Sequence, residues 1–145
     1  MITFDETLDR LKKISVSRGE DYSYSYDPKA LQKTHLEHAN DDQYETTLDK
    51  DGKEYTTSCY YKFLDGTPGC IAGVFMDEVA PGYELREHEN ITANLNYPVS
   101  GERLEFEETA KALLREAQRL QDLGQKWPEA VQHAEAYVRE AYELD

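Results

Sequence analysis

Cys59-Tyr60-Tyr61-Lys62-Phe63-Leu64-Asp65-Gly66-Thr67-Pro68-Gly69-Cys70 runs directly into Ile71-Ala72-Gly73-Val74-Phe75-Met76-Asp77-Glu78-Val79, and the architecture turns on how these residues are read. It is the longest apolar and aromatic run in a polar chain, and it holds both cysteines. Its first part has the period of a strand: Tyr55, Thr57, Cys59, Tyr61 and Phe63 share one face, and Thr56, Ser58, Tyr60, Lys62 and Leu64 the other. Its second part has the period of a helix. Cys70, Ile71, Val74, Phe75 and Glu78 to Val79 fall near one side, and Gly73 permits close approach of a neighbouring segment. Between them, Asp65-Gly66 supplies a turn, Thr67 a cap and Pro68 a first-turn proline, so a helix is expected over 68–79, ended by Pro81-Gly82.

Upstream, Tyr44 to Asp49 and Lys53 to Ser58 are rich in Thr and Tyr and flank Lys50-Asp51-Gly52, which predicts a hairpin. A calcium loop is the competing reading of Asp49-x-Asp51-Gly52. It fails, because aligning Gly52 with the invariant glycine puts Thr47 and Ser58 where carboxylates are required. Tyr22-Ser23-Tyr24-Ser25-Tyr26 alternates aromatic and small polar residues, which predicts another strand with its three tyrosines on one face. Rings at that position either roof a core or offer a flat surface for a ligand or partner to stack on.

Helices are expected at both ends. Thr3-Phe4-Asp5-Glu6 is a capping box, followed by Phe4, Leu8, Leu11 and Ile14 or Ser15 at helical spacing, with Lys12, Lys13 and Arg18 near the end that favours cations. Asp27-Pro28 opens a weaker helix over 28–39, in which His35 and His38 lie one turn apart on a polar face that suits solvent better than a metal. Residues 83–101 predict a short helix and an irregular segment. Phe106, Ala110, Leu113, Leu114, Ala117 and Leu120 mark a helix from about 107 to 123, stopped by Gly124. Trp127, Val131, Ala134, Val138 and Ala141 or Tyr142 mark the next, so the two form an antiparallel pair with Trp127 plugging one end. The resulting fold class is α+β. A small antiparallel sheet from 21–26, 44–49 and 53–63 packs against the N-terminal helix, the 68–79 helix and the C-terminal pair, in a single domain spanning 1–145.

The formal charge is −14, charged residues make up 32% of the chain and hydrophobic ones 39%, with a mean hydropathy of −0.82. Like-charge repulsion argues against direct binding of nucleic acid or an anionic membrane, whereas a basic partner is attracted. No apolar run approaches the roughly 20 residues of a membrane span, and Met1-Ile2-Thr3-Phe4-Asp5-Glu6 lacks the layout of a signal peptide, so a cytoplasmic location is expected. In such a compartment Cys59 and Cys70 are expected as thiols rather than as a bridge.

Strong catalytic signatures are missing from the sequence: it has no nucleophile elbow, no phosphate-binding loop with a lysine, no His-Glu-x-x-His and no pair of Cys-x-x-Cys units. No cofactor and no metal is expected. Cys70, in the first turn of a helix where the dipole favours a thiolate, is the better of two weak nucleophile candidates. The candidate binding residues are Tyr22, Tyr24, Tyr26, Tyr61 and Cys70, on a tyrosine-lined sheet face.

Cys59-x-Tyr61…Asp65-Gly66-x-Pro68-x-Cys70-Ile71-x-Gly73 and the later Phe106-x-x-x-Ala110-x-x-Leu113…Ala117-Gln118-x-x-Gln121-Asp122-x-Gly124-x-x-Trp127-x-x-Ala130 resemble a group of small uncharacterised proteins of actinobacteria and their phages. Phe4-Asp5-Glu6-Thr7-Leu8 and Gly19-Glu20-Asp21-Tyr22 are similar as well, while 27–54 and 80–102 are unmatched. The resemblance brings no assigned activity; it implies a phage-type accessory protein. Two functions of different kinds are expected: binding of a host macromolecule, with a basic or nucleic-acid-binding protein as the candidate, through an acidic surface that solubility alone explains equally well, or binding of a small ligand on the tyrosine face, with turnover by Cys70 as the weaker extension.

Overall fold

A computed structural model describes residues 1–27, 29–30, 60–63, 65–87, 89–96 and 104–145, together with the backbone of 45–48 and 54–57. Helix α1, Phe4–Val16, starts where Thr3 turns extended and its hydroxyl accepts the Glu6 amide at 3.1 Å. The Phe4 amide is taken from across the molecule by the Glu107 carboxylate at 3.0 Å, a favourable place for an anion. Phe4, Leu8, Leu11 and Ile14 form the buried stripe.

Helices α4, Glu108–Asp122, and α5, Trp127–Ala141, pack along each other, and α1 lies on both. Gly124 closes α4 at φ +94°, a conformation that L side chains avoid, and the short connection forces an antiparallel pair. Helix α2, Ile71–Val79, fits against α1 and α4; the short α3, Ile91–Asn96, rests on α4. Ile2 and Phe106 form a parallel bridge that ties the start of the chain to the lead-in of α4. The core is continuous through these helices and takes in Trp127, Phe75, Leu113 and Val138.

The expected α+β fold class is corrected: helices dominate, and no sheet enters the described core. Backbone segments β1, Glu45–Leu48, and β2, Glu54–Thr57, pair antiparallel as a short ribbon with Leu48 opposite Glu54. Within the described residues, the other parts of the expected sheet are replaced. Residues Tyr24–Tyr26 form a 3-10 turn, in which the Tyr26 and Asp27 amides bond to the Ser23 and Tyr24 carbonyls instead of a neighbouring strand. Tyr24 and Tyr26 therefore do not share a face: the first is 1% exposed and the second 75%.

Residues 60–63 are not a strand either: among the described residues their pairing is limited to one isolated bridge between Lys62 and Pro68, and consecutive Tyr60 and Tyr61 are both buried rather than alternating in and out. Their backbone groups close a tight loop on 67–70: Phe63 N bonds Thr67 O, Gly69 N bonds Tyr61 O and Cys70 N bonds Tyr60 O, each at 2.8 Å. This loop delays the helix to Ile71, with Cys70 at the cap position. Thr67 instead bonds the Asp65 carboxylate through both its amide and its hydroxyl. Apart from Lys29 and Ala30, the helix expected over 28–39 lies outside the described residues, as do Cys59 and His88.

Candidate functional site

A cleft of about 450 Å³ opens beside the second half of α2. Helix α2 stops because Pro81 has no amide to continue it; the Ala80 amide closes on Met76 O at 2.8 Å, and the chain turns back through Gly82. The returning segment 83–87 forms the opposite wall, pinned from behind by Asn94, which is 1% exposed. The Asn94 side-chain oxygen accepts the Arg86 amide, and its nitrogen donates to the carbonyls of Arg86, Glu89 and Asn90 at 3.2–3.3 Å. The Tyr83 hydroxyl donates to Asn94 O at 2.9 Å, and the Tyr61 hydroxyl donates to Glu89 O.

Glu87 completes the frame. Its two carboxylate oxygens accept the backbone amides of Tyr61 and Lys62 at 3.1 and 3.0 Å, clamping the returning segment to the 60–63 loop. Gly73 is required at the floor, because a Cβ there would stand 2.0 Å from Tyr61 O. Met76, Tyr61, Tyr83 and Leu85 make the cleft apolar inside. Asp77 and Glu84 stand exposed at its rim with no ion pair among the described residues, and the carbonyl end of α2 adds negative potential beside them. Lys62 is the cation of the lining. The arrangement suits a cation carried on an apolar or planar stem.

The five residues expected to bind do not assemble on one face. Tyr61 lines this cleft, whereas Tyr22 lines a separate recess with Arg18, Asp27, Lys29 and Phe63. The recess is occupied structurally by Arg18, whose guanidinium lies 4.6 Å from the Trp127 ring centre and 5.1 Å from that of Tyr22. Arg18 donates to the Tyr22 hydroxyl and Gly69 O at 2.8 Å and to Pro68 O at 2.7 Å. Tyr24 is internal, stacked on Phe63 at 5.9 Å with its hydroxyl accepting the Tyr60 amide at 2.8 Å. Tyr26 faces solvent.

Cys70 is a free thiol with 0% exposure. The amides of Ile71 and Ala72, which would serve an anion at the start of α2, are already bonded to Gln121 and Gln118 at 2.8 and 2.9 Å. Nothing in the described structure therefore leads a substrate to Cys70. No protein-family model, curated protein or solved structure matches this chain. The site must be read from its own chemistry. Asp77, Glu84, Glu87 and Asn94 were not singled out by sequence, since Asp and Glu occur throughout the chain and only the turn at Pro81-Gly82 marks the place.

Proposed function

We propose that this chain is a phage-type accessory protein that acts in the host cytoplasm by binding a basic, nucleic-acid-binding protein through its acidic surface. One observation carries the reading: among the described residues most cations are matched by a carboxylate or enclosed by rings, whereas many exposed carboxylates are not matched. Arg10 pairs with Glu78, Lys12 and Arg139 with Glu135, Lys29 with Asp65, Arg86 with Glu89, Arg119 with Glu116 and Lys126 with Asp21. Arg18 is enclosed by aromatic rings. Exposed Asp5, Glu6, Asp9, Asp77, Glu84, Glu108, Glu129 and Glu140 have no ion-pair partner among the described residues, so the described surface carries an excess of acid in a chain of net charge −14.

The resemblance to small proteins of actinobacteria and their phages supplies the setting. Among the described residues no helix is long and apolar enough to cross a membrane. The test is affinity capture by the tagged protein from nuclease-treated actinobacterial lysate, at low and at moderate salt, with mass spectrometry of what is held. The expected result is a basic protein retained at low salt and released as salt rises, because screening shortens the reach of the attraction. Retention that is indifferent to salt, or of no basic protein, overturns the proposal.

A further inference from the structure

We infer that the cleft beside α2 is the anchor of this acidic surface and receives one arginine side chain from a basic segment of the protein partner. The inference rests on the binding role proposed above and adds to it a place and a residue type. Three features converge there. Asp77 and Glu84 are exposed carboxylates with no ion pair among the described residues, one on α2 and the other on the returning segment, so the cleft offers acids from two sides against the single cation Lys62 of its lining. The carbonyl end of α2, with its negative pole, closes beside the same space, where Ala80 and Pro81 are part of the lining. The half-buried Tyr83 and Leu85, backed by the buried Met76 and Tyr61, give the interior an apolar and aromatic surface, which suits the methylene stem and planar head of arginine better than the compact, strongly hydrated ammonium of lysine.

The cleft is also built in advance. Asn94 and Glu87 hold its two walls through backbone hydrogen bonds that use no group of the partner, so little ordering is left for the binding step. A second recess, beside α1, gathers Glu6, Asp9 and Glu78 as well, but Arg10 and Lys13 stand among them and Arg10 already pairs with Glu78; Glu108 on α4 and Glu129 and Glu140 on α5 line neither recess.

The experiment uses the full chain and two end-blocked peptides, hexa-arginine and hexa-lysine, at low ionic strength, with binding followed by calorimetry and by amide chemical shifts. Hexa-arginine is expected to bind more tightly than hexa-lysine and to shift Tyr61, Met76, Tyr83 and Leu85 most. The double variant Asp77→Asn/Glu84→Gln is expected to weaken hexa-arginine by about tenfold or more. The control Glu129→Gln/Glu140→Gln, which removes the same charge from α5, is expected to weaken it by less than about twofold. Glu87 is left intact because its carboxylate holds the wall. Equal weakening by the two variants, or equal affinity for the two peptides, overturns the arginine anchor and leaves a diffuse acidic surface standing. Absence of any binding to either peptide overturns the anchor and the acidic-surface role together.

Discussion

Arg18 and Tyr22 show how one pair of side chains stands in for the sheet that the aromatic pattern suggests. The guanidinium joins the end of α1, Tyr22 ahead of the 3-10 segment, the 67–70 loop and the first residue of α5, and the edge-on contact of Tyr22 with Trp127 at 4.7 Å completes the cluster. Burial, and then the hydrogen bond from the Tyr22 phenol to the Asp27 carboxylate, raise the Tyr22 pKa far above its ordinary value, with Arg18 acting in the opposite sense. The folded state thus keeps this proton where the unfolded state releases it. Stability from Tyr22 is complete below about pH 10 and declines as pH rises beyond it, because the unfolded chain binds fewer protons there. Tyr22→Phe is expected to cost about 1–2 kcal/mol at neutral pH, through the hydrogen bonds lost by Asp27 and Arg18. Denaturant unfolding from pH 8 to 11 should show the gap between wild type and variant narrowing at the alkaline end. A gap that widens contradicts this assignment.

Helix α2 depends on a residue of another helix for its beginning. Cys70 offers no side-chain cap, and the Gln121 side-chain oxygen accepts both the Ile71 amide at 2.8 Å and the Trp127 indole N–H at 3.2 Å. Gln121 has 0% exposure, so water cannot replace it without an opening of the core. Gln121→Ala leaves two buried donors unpaired and is expected to destabilise by about 2–4 kcal/mol in chemical denaturation. Gln121→Met, of similar length and equally unable to accept well, should fall in the same range; if Met restores wild-type stability, packing rather than hydrogen bonding is what Gln121 supplies. The same element explains why Gly73 and Gly69 have no substitute: a Cβ would stand 2.0 Å from Tyr61 O and 2.1 Å from Tyr60 O, both backbone atoms. The 60–63 loop therefore presses directly on the start of α2, and that pressing sets the floor of the cleft.

The molecule as a whole carries far more negative charge than its fold neutralises, which makes it self-repelling as well as attractive to cations. Added salt is expected to raise Tm between about 10 and 200 mM sodium chloride, over which the Debye length falls from roughly 30 to below 10 Å. Over the same range the affinity for a basic partner is expected to fall. The two trends have one cause and opposite signs, and a Tm that falls with salt would show that the ion pairs, not the surplus acids, dominate the electrostatics. The ion pairs are mostly exposed, Lys126 with Asp21 and Arg10 with Glu78 among them, and such pairs contribute about 0–1 kcal/mol each.

Helices α1, α4 and α5 could be read from the sequence because an amphipathic stripe is a local record of which face will be buried: Leu8, Leu11 and Ile14, or Leu113, Leu114 and Ala117, repeat at the helical period whatever they pack against. The capping threonine, the stop at Gly124 and the surplus of acid are equally local. The 22–26 and 60–70 segments were decided by tertiary structure, because their backbone and hydroxyl groups bond to residues far along the chain: the Tyr60 amide to the Tyr24 hydroxyl, the Tyr61 and Lys62 amides to Glu87, and Pro68 O and Gly69 O to Arg18. Alternation of aromatic and polar residues records only that some groups will be buried, and it leaves open whether a neighbouring strand or a distant side chain satisfies them. The cleft has the same origin. Composition already contained Asp77, Glu84, Tyr61 and Tyr83, but only the return of the chain at Pro81 and its clamping by Asn94 and Glu87 set acid and aromatic groups around one space.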